Sequence, residues 1–182
     1  QGLQLRRISR SLLDLMVPAV HEPPKANLLE DGWIPLTSAS LTAWSLNAEE
    51  SISVITLDRV PEPVQAWCHQ QAIAPIAFDA DDDPAQLLAD LVPHLQGLSL
   101  QAPRQLLLLL PCRSTAAVRA LQAAVRSLAQ DAPAWRCSTI ILAAEDLTEV
   151  LWQRLLAATS SDAEVRWCGG EAIETRQFKS ID

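Results

Sequence analysis

The sequence predicts a three-layer α/β sandwich with a mostly parallel sheet that closes in an antiparallel hairpin at one edge. Three observations point to it. Strand-like and helix-like segments alternate four times between Ser51 and Cys168, with connections long enough for right-handed crossovers. The stretch RQLLLLLPC, from Arg104 to Cys112, is a continuous apolar run bounded by turn signals, as expected of a strand buried on both faces. Gly169-Gly170 separates two short strand-like stretches, the pattern of a hairpin turn.

Each element carries its own local signal. Gly2 to Ile8 reads as a short strand, Ser11 to Val17 as one or two helical turns, and Pro18, Pro23 and Pro24 as a connector ending near Asp31. Residues 1–31 thus read as the tail of a preceding domain plus a linker, and 32–182 as the α/β domain. Trp33 to Thr37 is a strand held to an edge by Pro35. SISVITLD, Ser51 to Asp58, is a strand rich in β-branched residues. Pro61 and Pro63 open a helix to about Ala72 with Val64, Trp67 and Cys68 on one face. APIAFD, Ala74 to Asp79, is the next strand.

Asp83-Pro84 is a cap followed by proline at the first helical position, starting a helix to about Gln96 that Pro93 is expected to kink or shorten. Leu87, Leu88, Leu91 and Leu95 face inward, and Gly97 ends the helix. After the Arg104–Cys112 strand, Ser114 is expected to cap a helix with Val118, Leu121, Val125 and Leu128 at helical spacing. RCSTIILAA, Arg136 to Ala144, is a central strand. Glu145 and Asp146 precede a helix carrying Leu147, Leu151 and Leu155. Ser160 to Asp162 form a turn, and Glu164–Cys168 and Ala172–Phe178 form the closing hairpin.

Composition narrows the function. The chain has 182 residues, 49% of them hydrophobic, which suffices for one domain with a substantial core. Its formal net charge of −8 opposes binding to phosphate backbones, and the only dense basic patch is Arg6, Arg7 and Arg10. A nucleic-acid partner is not expected. No segment reaches the roughly 20 apolar residues of a membrane span. Arg6-Arg7 before an apolar stretch loosely has the form of a signal peptide, but Asp14, His21 and Glu22 interrupt it. Cys68, Cys112, Cys137 and Cys168 are far apart and form no C-x-x-C framework, so they are read as reduced, small buried hydrophobes of a cytoplasmic protein.

A search for reactive groups finds no complete set, and no catalytic, cofactor-binding or metal-binding residue is assigned. Nucleotide binding in such sheets needs glycines at a strand-to-helix turn. The five glycines, 2, 32, 97, 169 and 170, all lie elsewhere. There is no tyrosine to serve as the acid of reductase chemistry. Cys68-His69 are adjacent on a helix, point about 100° apart, and cannot form a nucleophile–base pair. The acidic group Asp79, Asp81, Asp82, Asp83 has a sufficient reason in capping and the helix dipole, against a magnesium site. A phosphoacceptor receiver domain would need an aspartate where the third strand ends in Pro111-Cys112. It would also need a later lysine, and the only lysines are Lys25 and Lys179. The six tryptophans, without interleaved basic residues, read as packing groups, with Trp33, Trp44 and Trp167 near the hairpin as candidates for facing a neighbouring domain.

Three stretches resemble a known family. Trp33-Ile34-Pro35-Leu36 is similar to the W-x-P opening strand of the structural subdomain in the ketoreductase region of modular type I polyketide synthases. LLLLLPC (106–112) through STIILAAED (138–146) resembles that subdomain's truncated Rossmann-like core. Glu164-Val165-Arg166-Trp167-Cys168-Gly169-Gly170-Glu171 resembles its closing hairpin, usually E-x-x-x-R-x-G-x-R. It departs from that hairpin at Trp167-Cys168, where an aromatic-arginine pair is common, and at Glu171, where a basic residue is usual. The stretch from Gly2 to Ser9 resembles the last strand of the dehydratase domain that precedes this region.

The resemblance implies a non-catalytic scaffold in a cytoplasmic megasynthase, without catalysis or NADPH binding of its own. The implied partners are adjacent dehydratase, methyltransferase, enoylreductase or catalytic ketoreductase segments, and an acyl carrier protein, in a parent homodimer. The family's catalytic and cofactor residues belong to the other subdomain and map to none here, so the chain could stand as a pseudo-ketoreductase. The alternatives are an equivalent fragment of a polyunsaturated fatty-acid synthase, or a free-standing α/β interaction or regulatory domain.

Overall fold

A computed structural model describes residues 29–36, 44, 50–99, 101–143, 145–159, 164–170 and 172–180. The strand expected over 2–8, the helical turns over 11–17, the prolines of the linker and the turn over 160–162 lie outside the described residues. The chain divides into two compact units, 1–31 with 178–182, and 32–177. The second unit holds nearly all the described residues, including the helices and the core.

Seven strands and four helices alternate: β1 Leu29–Pro35, β2 Ser51–Leu57, α1 Glu62–Gln70, β3 Ile76–Phe78, α2 Pro84–Gln96, β4 Arg104–Pro111, α3 Ala116–Asp131, β5 Trp135–Leu142, α4 Glu149–Ala158, β6 Glu164–Trp167 and β7 Glu174–Ser180. The sheet order is β1-β7-β6-β5-β4-β2-β3. Strands β3, β2, β4, β5 and β6 run parallel, and β7 pairs antiparallel with β6. This is the Rossmann-like α/β sandwich with an antiparallel edge that the sequence predicts. β1 lies at the sheet edge, where Pro35 costs no central ladder bond. It begins at Leu29, four residues before the expected start.

The apolar run of β4 explains itself in the core. Leu107 and Leu109 join Val64, Trp67, Cys68, Trp152, Leu155 and Leu156 on the face covered by α1 and α4. Leu106, Leu108 and Leu110 join Leu87, Leu91, Val118, Leu121 and Val125 on the face covered by α2 and α3. Successive strand residues point to opposite faces, so only a strand covered on both sides needs leucine at every position. All five leucines are buried, each contributing roughly 1.5–3 kcal/mol.

One crossover departs from expectation. The connections β4–α3–β5 and β5–α4–β6 step the same way along the sheet, yet α3 and α4 cover opposite faces. They therefore have opposite hands. The β2–α1–β3 and β3–α2–β4 connections step in opposite directions on opposite faces and share the hand of β4–α3–β5. With the usual right hand for those three, β5–α4–β6 is left-handed. Before α4 the chain passes through Asp146 in the left-handed backbone region (φ 65) and reaches the face where Trp152 meets Trp67 edge-on, 5.5 Å between ring centres.

The caps are sharper than the sequence reading. Asp83 caps α2 as expected, accepting from Ala85 N and Gln86 N, and Pro93 leaves α2 unbroken to Gln96. The cap of α3 is Thr115, not Ser114: its hydroxyl accepts from Val118 N at 3.2 Å and donates to Ala80 O at 2.8 Å. Thr148 caps α4 through Leu151 N, so Leu147 precedes that helix rather than lying in it.

Candidate functional site

In a sheet of this order the ligand position is the crevice at the carboxyl ends of the strands, where the chain reverses direction along the sheet. Here that point lies between β2 and β4. A cleft of about 310 Å³ opens there, floored by Leu57, Leu109, Leu110 and Leu142 and rimmed by Asp58, Arg59, Cys112, Arg113 and Glu145.

Its rim is built from two strand ends. At the end of β2, Asp58 adopts φ 69, a left-handed conformation that aspartate tolerates better than most residues. Its amide donates to Phe78 O at 2.8 Å, and its Oδ1 accepts from Ala80 N at 2.9 Å. Beyond Pro111, Arg113 reaches back across the crevice. Its Nη2 donates to both Asp58 oxygens, at 3.1 and 2.9 Å, and its Nη1 to both Asp81 oxygens, at 3.2 and 3.3 Å. The hydrogen bond and charge of Asp58, with a smaller contribution from Asp81, hold the guanidinium above its usual pKa.

This arrangement stands where a phosphate loop would be. Such a loop offers free backbone N–H groups beside glycine. Here the Ala80 amide is occupied by a carboxylate, and Arg113 already serves two carboxylates. None of the described glycines follows β2, β4 or β5; Gly169 and Gly170, with φ 99 and 80, serve the loop between β6 and β7.

Contrary to the expectation from sequence, the four cysteines are not all reduced and buried. Cys112 and Cys168 form a disulfide, with their Cα atoms 5.8 Å apart and a sequence separation of 56. β4 and β6 flank β5 and end on the same edge of the sheet, which brings the two together; no spacing rule in the sequence reports that. Both residues are exposed. Cys112 Sγ also lies 3.4 Å from Trp167 O, a contact without a proton while the sulfur is oxidised. Cys68 and Cys137 are free, and burial pushes both thiols up to about 11.

The other candidate groups stay apart or have structural work. Cys68 is buried and His69 exposed, so the fold does not bring that pair together. His94 meets the edge of Phe78, while His21 lies outside the described residues. Asp79 Oδ1 accepts from Asp81 N, Asp82 Oδ2 from Asp79 N, and Asp83 caps α2, a local turn network. Among the described residues no group of three potential metal ligands gathers.

The tryptophans pack within the domain. Trp44 and Trp67 meet edge-on, Trp167 donates to Gly170 O at 2.8 Å, and Arg166 stacks over Trp33 at 4.3 Å. Arg166 also pairs with Glu174, and Glu164 pairs with Arg126 of α3 and Arg176 of β7, so the hairpin charges tie the sheet edge together. No helix among the described residues is long and apolar enough to cross a membrane. No protein-family model matches the chain, and no curated protein matches it.

Proposed function

We propose that this chain is a scaffold: the structural subdomain of the ketoreductase region of a modular type I polyketide synthase, working in the cytoplasm beside its neighbouring domains in a homodimeric parent. The observation that carries this reading is the Arg113 bridge to Asp58 and Asp81 at the switch point. It engages the Arg113 guanidinium, and Asp58 also engages the Ala80 amide, so two donors beside the cleft already have carboxylate partners within the fold. The opening-strand and hairpin motifs support the choice of family. Arg166 and Glu164 of the hairpin motif are spent on ion pairs within the fold, as befits a structural edge.

Titration of the chain with NADPH, followed by nucleotide fluorescence, tests the absence of a cofactor site: no saturable change is expected, and micromolar binding would overturn it. The gene tests the family. Ketosynthase or dehydratase sequence upstream and carrier-protein sequence downstream are expected, whereas stop codons close to both ends would sink the assignment.

One observation favours a second reading. Disulfides persist in oxidising compartments, and Cys112–Cys168 suits a free-standing α/β interaction domain located in one. The same reading of the gene separates the two.

A further inference from the structure

We propose that Cys112–Cys168 is a thiol–disulfide exchange site, opened by a dithiol reductant of the thioredoxin class and closed again by oxidation. The four cysteines divide into two chemical classes. Cys68 is buried and Cys137 half-buried, and burial pushes both thiols up to about 11, which keeps them protonated at neutral pH and slow to exchange. Cys112 and Cys168 are exposed at the rim of the sheet, where an attacking thiolate can reach them. Exposed disulfides tend to be the labile ones, while structural disulfides typically resist reduction thermodynamically.

Attack can begin at either exposed residue. On the course through Cys168, a dithiol's thiolate attacks Cys168 Sγ, which lies beside the left-handed Gly169-Gly170 turn. A mixed disulfide to Cys168 forms, and the Cys112–Cys168 bond breaks. Cys112 leaves as thiolate, takes one proton, and then has an acceptor ready in Trp167 O at 3.4 Å. The reductant's second thiol attacks its own sulfur in the mixed disulfide and releases Cys168, which takes the second proton. The protein gains two electrons and two protons, and the dithiol becomes a disulfide. The reverse reaction needs a disulfide oxidant such as oxidised glutathione.

The consequence falls on the cleft. The bond straddles the end of β5 and fixes the loop after β6 to Cys112, a wall of the cleft and the neighbour of Arg113. Reduction removes that cross-link and leaves the loop held by the Trp167 Nε1 bond to Gly170 O, with none of the residues of the two core clusters involved in the disulfide. The inference is independent of the scaffold reading, because it rests only on the exposure of the two residues and the placement of their disulfide.

Differential alkylation of the full chain tests it. The folded protein is treated with millimolar dithiothreitol or reduced thioredoxin and alkylated with a light reagent. It is then denatured, fully reduced, and alkylated with a heavy reagent, and the peptides are weighed. Expected are light label on Cys112 and Cys168 only after reductant, heavy label on Cys68 throughout, and loss of the light label after oxidised glutathione. Light label on Cys112 and Cys168 without reductant overturns the proposal. So does heavy label on both despite reductant, light label spreading to the buried Cys68 (opening by global unfolding), or failure to reoxidise. In Cys168→Ser, Cys112 is expected to add one glutathione mass with oxidised glutathione; no adduct counts against an accessible Cys112.

Discussion

Arg113 Nη2 lies 2.9 Å from Asp58 Oδ2, and through that pair the end of β4 is fastened to the end of β2. Asp58 has two tasks at once. It holds a left-handed backbone that closes β2, and it accepts from both Arg113 and Ala80 N.

Substitutions at Asp58 separate those tasks. Asparagine tolerates positive φ and keeps an acceptor for Ala80 N, so Asp58→Asn loses mainly the charge pairing and should cost under about 1 kcal/mol. Alanine forfeits the acceptor and strains the backbone, so Asp58→Ala should cost about 2–3 kcal/mol. Glycine relieves the strain but not the lost bond, and should fall between them. Urea unfolding of the three variants checks the order. Equal losses for alanine and glycine would remove the backbone from the account.

Thr115 and Ser114 offer a second discrimination, since the sequence pointed to the wrong one as cap. Thr115→Ala removes both the cap on Val118 N and the bond to Ala80 O, and should cost about 1–2 kcal/mol. Thr115→Ser should keep most of that stability. Ser114 makes only an exposed contact with Arg119, so Ser114→Ala should lie within about 0.5 kcal/mol of the parent. Thermal unfolding of the three proteins decides which residue caps α3.

The layered fold was legible because its signals are local. The alternating elements, the five leucines of β4 and the Asp83-Pro84 start each report their surroundings within a few residues. The rim of the cleft was not legible. Arg113 and Asp58 are 55 residues apart, as Cys112 and Cys168 are 56, and only the sheet order makes them neighbours. The signal that existed for Asp58 was an aspartate ending a β-branched strand, which also fits an ordinary turn. The left hand of β5–α4–β6 was equally hidden, because the helical pattern of α4 states which side is apolar but not which face of the sheet it covers. The reading of the tryptophans as packing groups needed only composition, and it stands.

Trp152 carries a test of the core. It is fully buried, and its Nε1 has no hydrogen-bond partner. An unpaired buried donor costs about 1–3 kcal/mol. Trp152→Phe removes that donor while keeping an aromatic ring against Trp67. The gain offsets much of the lost volume, and the net change should stay within about 1.5 kcal/mol. Trp152→Ala has no such offset and should lose about 3–5 kcal/mol. A phenylalanine variant as unstable as the alanine variant would show that the indole N–H is satisfied.

The two free thiols, Cys68 buried and Cys137 half-buried, predict an alkaline limit to stability. Cys68 and Cys137 rise from an ordinary 9.0 to about 11 because burial disfavours the thiolate. In the unfolded chain they ionise near their ordinary value. Between about pH 9 and 11 the unfolded state therefore binds fewer protons than the native state, and stability falls as pH rises. Below that window both states hold the protons and the thiols contribute no slope. The loss by the top of the window stays below about 2–3 kcal/mol for Cys68 and is smaller for Cys137, where solvent screens the half-buried thiol. Urea midpoints measured across the window, before thiol–disulfide reshuffling sets in, should fall less steeply for Cys68→Ala than for the parent. The Cys68→Ala/Cys137→Ala pair should fall less steeply still, whatever the variants' starting stability. Parallel slopes for all three proteins would place the alkaline loss in other groups and refute the shielding that makes these two sulfurs slow to exchange with Cys112–Cys168.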